Sequence, residues 1–292
     1  MDFEFERRGF LKLAGLGGAV LASGLGPWGS ALAAAGQDFV FVQLTDSHWG
    51  FEGPPNPEAR NTLKRAVAAV NALERQPDFV IWTGDLTHAA PDDQERHRRM
   101  SEFKTIVADL KVKDVRFIPG ENDAGLDNGE MYKSLFGPGN YSFDHKGVHF
   151  VALDNVSNPN GLIGEDQLQW LHADLERQDK TQPIVVFAHR PLFDLYPAWD
   201  WATTDGAKAI DILQPYENVT AFFGHIHQEH HEKTGRIAHH AAQSLIFPFP
   251  PPGSQPKRKP IAWDPDHPFK GLGFTTAQAR GGAFTPASRP IA

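Results

Sequence analysis

From Phe39 onward the chain alternates between short, uniformly apolar runs and longer stretches in which apolar residues recur at helical spacing. Phe39 to Leu44, Phe79 to Trp82, Val115 to Ile118, Ile184 to Ala188 and Val219 to Phe223 are brief β-branched or aromatic runs. That is the pattern of strands buried on both faces. Between them, Pro57 to Glu74 carries Leu63, Ala66, Val67, Val70 and Leu73 three or four apart, which predicts an amphipathic helix. Further helices are predicted from about Asp93 to Leu110, from Gly164 to Arg177, and around Thr204 to Leu213. Tyr141 to His145 and Val148 to Leu153 flank Lys146-Gly147, a hairpin signal, and a second hairpin is read around His230-His231 and His239-His240. Strands and helices in this alternation imply an α/β domain whose sheets are covered by helices. No internal repeat interrupts it.

The pattern breaks at both ends. Arg7-Arg8-Gly9-Phe10-Leu11-Lys12 leads into a small, apolar run from Leu13 to Leu25, too short to span a bilayer as a settled helix. Ala31-Leu32-Ala33 and Ala33-Ala34-Ala35 then offer small-residue cleavage sites, as a secretory signal does. The arginine pair closely resembles a twin-arginine export signal, whose machinery carries folded proteins. Residues 1–35 are therefore expected to be a signal peptide, and the protein to work in the periplasm or outside the cell. At the other end, Phe247 to Pro252 holds four prolines, and the residues to Ala292 are rich in Pro, Gly and Ala without clear periodicity. Residues 248–292 are expected to form an extended Pro/Gly-rich tail after a domain spanning 36–247.

Composition narrows the chemistry. The 292 residues include 14 His and no Cys, so thiolate metal sites, thiol catalysis and disulfides are excluded. A formal net charge of −8 argues against stable nucleic-acid binding through phosphate neutralisation. It leaves phosphate-ester chemistry open, because bound cations can reverse the local sign of a site.

Metal-competent residues cluster just beyond predicted strand ends: Asp46 and His48, Asp85, Glu121 with Asn122 and Asp123, His189, and His225 with His227. In open α/β sheets the ligand crevice lies outside the carboxyl ends of the strands, so residues far apart in sequence can converge there. Asp46-Ser47-His48, Gly84-Asp85, Gly120-Glu121-Asn122-Asp123, Ala188-His189 and Gly224-His225-Ile226-His227 together resemble the calcineurin-like metallophosphoesterase superfamily. The resemblance runs from about Phe39 to Ala242. It implies a two-sheet β-sandwich flanked by helices, with Asp46, His48 and His227 on one metal, Glu121, His189 and His225 on a second, and Asp85 bridging the two. Oxygen and imidazole donors suit Mn, Fe or Zn. The expected activity is hydrolysis of a small phosphomonoester or phosphodiester without a covalent enzyme intermediate.

One motif departs from the family. Where Gly-Asn-His-Asp or Gly-Asn-His-Glu is usual, this chain reads Gly120-Glu121-Asn122-Asp123. Glu121 takes the place of a neutral ligand, and Asn122 that of a His that contacts substrate or protonates the leaving group. An amide can donate a hydrogen bond but has no proton to transfer. Either good leaving groups are favoured or the acid lies elsewhere, with His88 the nearest candidate in sequence; alternatively the chain binds metal or phosphate without turnover. Nothing in the sequence demands a partner protein beyond the export machinery. Trp199-Asp200-Trp201 reads either as a lid that could stack on a base or as loop packing, Arg190 as a possible phosphate contact, and Lys257-Arg258-Lys259 as solvated tail.

Overall fold

The computed structural model describes residues 37–291, so the predicted signal segment lies outside the described residues. The elements run β1 (Phe39–Leu44), α1 (Ala59–Asn71), β2 (Phe79–Thr83), α2 (Asp93–Val107), β3 (Val115–Ile118), α3 (Glu121–Ala124), α4 (Glu130–Phe136), β4 (Tyr141–His145) and β5 (Val148–Ala152). There follow α5 (Glu165–Leu175), β6 (Ile184–Phe187), a 3₁₀ turn (Pro197–Trp199), α6 (Gly206–Leu213), β7 (Val219–Phe223), β8 (His230–Thr234), β9 (Ile237–Ala241), β10 (Gly273–Arg280) and β11 (Ala283–Pro290). Among the described residues no helix is long and apolar enough to cross a membrane.

Two mixed sheets stack face to face, one in the order β11-β10-β1-β2-β3 and the other β4-β5-β6-β7-β9-β8. The period-2 alternation of a strand explains why the runs are apolar throughout. Phe39 and Phe41 of β1 face the second sheet, where Phe41 meets Phe187 and Phe222 edge-on at 5.5 and 5.2 Å. Val42 and Leu44 face outward, against Leu63, Ala66, Val67 and Val70 of α1 and Met100 and Phe103 of α2. The second sheet repeats the scheme, with Val151, Val186 and Ala221 packed outward against Leu168 and Leu171 of α5 and Leu213 of α6. Four layers result, the two-sheet sandwich flanked by helices that the family resemblance implies.

The tail needs correcting. Gly273–Pro290 is a hairpin, and β10 pairs antiparallel with β1 in register Phe41↔Ala277. The domain therefore continues to the end of the described residues and does not close at residue 247. Thr275, Ala277 and Ala279 are small but buried, so the strand carries little of the hydrophobicity that marked the others. Its turn, Gly281-Gly282, has both φ angles positive.

Because β1–β2–β3 and β5–β6–β7–β9 are parallel runs, their carboxyl ends gather at one edge of the sandwich. Backbone bonds from Asp46 N to Gly84 O (3.0 Å) and from His48 N to Asp85 O (2.9 Å) tie the first two loops together. The Gln43 amide, donating to Thr83 Oγ1 (3.0 Å) and Phe223 O (2.9 Å), ties one sheet to the other beneath them.

Candidate metal centre

All seven residues read as ligands meet at this edge. Ligand atoms of Asp46, His48 and His227 lie within 4.8 Å of one another, as do those of Glu121, His189 and His225, and those of Asp46, Asp85 and His189. Asp85 Oδ2 stands between the first two groups, 3.4 Å from His48 Nε2 and 3.7 Å from His189 Nε2.

The local backbone is bent to achieve this. Asp46, His48, Asp85, His225 and His227 all have positive φ, five of the nine such non-glycine residues described. That conformation is disfavoured for residues with a Cβ and persists where surrounding structure over-determines it. Two motif glycines are steric requirements. Gly84 sits at φ +96°, and a Cβ there would strike the His189 ring. A Cβ on Gly120 would overlap the backbone nitrogen and Oδ1 of Asp85.

Backbone carbonyls aim three of the imidazoles. His189 Nδ1 donates to Thr83 O (2.7 Å) and His227 Nδ1 to Phe247 O (2.8 Å), which leaves each Nε2 turned to the site as a lone pair. His225 is held the other way round, Nε2 donating to Asp200 O (2.9 Å) with Nδ1 inward. Acceptors thus face acceptors: His189 Nε2 is 2.7 Å from Glu121 Oε2, His225 Nδ1 is 3.1 Å from Glu121 Oε1, and His227 Nε2 is 3.3 Å from Asp46 Oδ1. Asp46 Oδ1, both Glu121 oxygens and His189 Nε2 are buried with no hydrogen-bond partner. Unpaired buried acceptors are costly, and either a proton or a cation between them removes the conflict. The donor set therefore fits divalent metal.

Titration behaviour expresses the same crowding. Burial opposes ionisation of Asp46, yet His227, His189 and His48 together hold its carboxyl below the usual range. Glu121 is likewise buried, and His225 and His189 hold it low. Asp85 goes the other way: burial pushes it up, His189 opposes, and Glu121, Asp46 and Asp123 add to the rise. Burial disfavours a charged His189, but Glu121, Asp85 and Asp46 outweigh it and raise its pKa. His48 is lowered by burial and by His227.

The remaining sequence candidates are placed as follows. Asn122 is turned to Asp85: its backbone N–H donates to Oδ1 (2.8 Å) and its Nδ2 to Oδ2 (2.7 Å). Its Oδ1 accepts from Ala89 N (3.0 Å), so the side chain is fully engaged within the protein. His88 lines the cavity over the site, its Nδ1 3.3 Å from His48 Nδ1. Arg190 forms ion pairs with Glu121 Oε1 (3.2 Å) and with the Asp200 carboxylate, which leaves it committed to the protein side of the site. Trp199 and Trp201 are buried and pack together edge-on at 5.1 Å, so their role is packing, and Asp200 between them orients His225.

Other residues take parts that the sequence did not assign to them. Asp123 is buried and accepts from Gly120 N, Leu86 N, Thr87 N and Thr87 Oγ1, fastening the second and third loops together. Asn155 Oδ1 accepts from His189 N (3.2 Å), and no motif marks it. Phe247, Phe249 and Arg258, from the proline-rich stretch, complete a cavity of about 240 Å³ over the ligand residues. At His88 this cavity meets a polar groove of about 650 Å³ lined by Arg60, Lys64, Arg98 and Arg99 among carboxylates.

Comparison with known proteins gives a consistent picture. The family profile described as Calcineurin-like phosphoesterase matches residues 39–229. The human serine/threonine-protein phosphatase CPPED1 is 30% identical over 141 residues, covering 44% of this chain and 45% of that protein. The zebrafish protein of the same name is 28% identical over 57% of its length, so the chain spans about half of these phosphatases. The 3',5'-cyclic adenosine monophosphate phosphodiesterase CpdA of Pseudomonas aeruginosa is 25% identical over 234 residues, 74% of this chain and 79% of that one. Among solved structures, a dimetal phosphatase from Danio rerio superposes with a TM-score of 0.62 at 16% identity, covering 87% of this chain and 96% of that one. At that identity the likeness is one of fold.

Proposed function

The chain belongs to the calcineurin-like phosphoesterase family, and from that premise we propose that it hydrolyses small phosphate esters with two metal ions held at the sandwich edge. The observation that carries the reading is the pair of buried three-residue groups, Asp46/His48/His227 and Glu121/His189/His225, whose acceptors face one another with Asp85 between them. Relatives named as a phosphatase and as a cyclic-nucleotide phosphodiesterase support the reaction class.

When bound, a pair of Mn, Fe or Zn ions supplies a water of lowered pKa and neutralises charge on the phosphoryl group. Everything else falls to the chain. Thr83 O, Phe247 O and Asp200 O hold His189, His227 and His225 in the required tautomers. Asn122 holds both oxygens of Asp85, and the strained loop backbone keeps the acceptors converged before any substrate arrives. Asn122 supplies no proton to a departing alcohol. Esters with good leaving groups are therefore the expected substrates, and His88 is the protonatable side chain at the cavity wall.

The deciding experiment combines metal content with turnover of para-nitrophenyl phosphate and its bis-ester, on the mature protein and on Asp85→Asn. Near two metals per chain, with turnover lost in the variant, supports the reading. Two metals with turnover of neither ester would favour a metal- or phosphate-binding role, and a metal-free protein indifferent to Asp85→Asn would overturn both. We propose further that the twin-arginine machinery exports the folded protein, which Arg7-Arg8→Lys-Lys would block by retaining it in the cytoplasm.

A further inference from the structure

The proline-rich stretch after β9 is built into the site. The Phe247 carbonyl accepts from both His227 Nδ1 (2.8 Å) and Ser244 Oγ (2.7 Å), so the strap is fastened to a metal-ligand candidate at its first residue. Gln228 Nε2 donates to Pro250 O (3.1 Å) and Ile261 N to Pro248 O (2.9 Å), closing the strap back on itself. Four prolines between Pro248 and Pro252 fix φ along it. The Phe249 and Phe247 rings lie 4.7 and 5.0 Å from the His227 ring and form one wall of the cavity.

Arg258 comes back over this wall. Its guanidinium lies 5.5 Å from the Phe249 ring centroid and lines the same cavity as Asp85, Asn122, His225 and His227. Asp200, which also lines that cavity, is committed to Arg190. Among the described residues Arg258 has no ion-pair partner, so its fork is presented to the cavity mouth without a carboxylate to neutralise it.

A phosphate monoester carries between one and two negative charges near neutral pH and leaves three oxygens unesterified, whereas a diester carries one charge and two such oxygens. A planar guanidinium binds such oxygens in pairs. The space directly over the ligand residues, about 240 Å³ beside the larger groove that it meets at His88, falls below the roughly 300 to 1,000 Å³ of drug-sized pockets and suits a phosphoryl group with a small substituent. We propose that Arg258, presented by the proline strap, is a specificity-determining residue that grips the non-reacting oxygens of a small phosphate monoester. This rests on the phosphoesterase reading and assigns its substrate class.

The test uses the metal-loaded mature protein, Arg258→Gln and Arg258→Lys. Orthophosphate affinity is measured by calorimetry, and kcat/KM on para-nitrophenyl phosphate and on its bis-ester. Arg258→Gln should lose about tenfold in phosphate affinity and in monoester kcat/KM, the scale of a charge-assisted hydrogen bond, with the diester little changed. Arg258→Lys should recover part of both. Equal phosphate affinity in wild type and Arg258→Gln, or equal losses on both esters, would overturn the assignment. Should the wild type cleave neither ester, the phosphoesterase reading fails, while the phosphate titration still decides whether Arg258 binds the anion.

Discussion

Asn122 donates from its backbone to one oxygen of Asp85 and from its side-chain amide to the other, at 2.8 and 2.7 Å. The residue that breaks the family motif is thus the support of the carboxylate between the two ligand groups. Asn122→Ala removes one of these bonds and should lower divalent-metal affinity about 10–100-fold, the usual effect of losing a partner behind a ligand. Calorimetric titration of the metal-free protein checks this, and unchanged affinity would mean that Asp85 is positioned by other means.

The same engagement leaves no proton for the leaving group. Across aryl and alkyl phosphates, kcat should fall steeply as the leaving alcohol becomes more basic. Asn122→His should raise turnover of phenyl phosphate more than that of para-nitrophenyl phosphate, with at most the roughly 10²–10⁴-fold that general acid catalysis supplies. A flat dependence in the wild type would point to an acid already in place.

Relief of the facing acceptors should be visible as stability. At a free metal concentration of a hundred times Kd, binding contributes about 2.7 kcal/mol. A melting temperature raised by about 5–10 °C follows for a domain of this size. Thermal scans with Mn or Zn, with chelator, and on Asp85→Asn decide the matter. The variant should melt much like the chelated wild type.

His239 lies buried on β9, its Nε2 bonded to Thr234 Oγ1 at 2.7 Å, and burial with the neighbouring His240 lowers its pKa to about 4. Its folded value is below its unfolded value near 6.5, so the unfolded chain takes up more protons between the two. Stability is complete above about pH 6.5 and falls as pH drops towards 4, by on the order of 3 kcal/mol from this group. Urea midpoints at pH 7.5 and 5 should therefore differ less in His239→Gln than in wild type.

Much of this was legible in the residues. Strands buried on both faces leave continuous apolar runs, and the candidate ligands placed just after such runs can be read in order. The correction came where burial was achieved by small side chains: Thr275, Ala277 and Ala279 are covered by neighbours but carry no hydrophobic signature of their own. Arg258 was illegible for another reason. It looks like a solvated basic run until the strap folds it back over His227, a relation that exists only in three dimensions. The direction of the Asn122 side chain is likewise set by the Asp85 loop and by Ala89 N, which no local pattern encodes.

β1, the first strand of the described domain, has β2 on one side and β10 on the other. On a growing polypeptide, residue 44 is joined more than two hundred residues before residue 273. Until then one edge of the strand that leads to Asp46 and His48 is an open ladder of unpaired amides and carbonyls. That edge of the sheet is closed only once residues 273–280 are made, so the scaffold under the candidate ligands Asp46 and His48 is finished long after those residues themselves. The scaffold under the candidate metal centre is thereby finished only after the β10 segment is made, and a protein proposed to leave the cytoplasm folded would be ready for export only after that pairing.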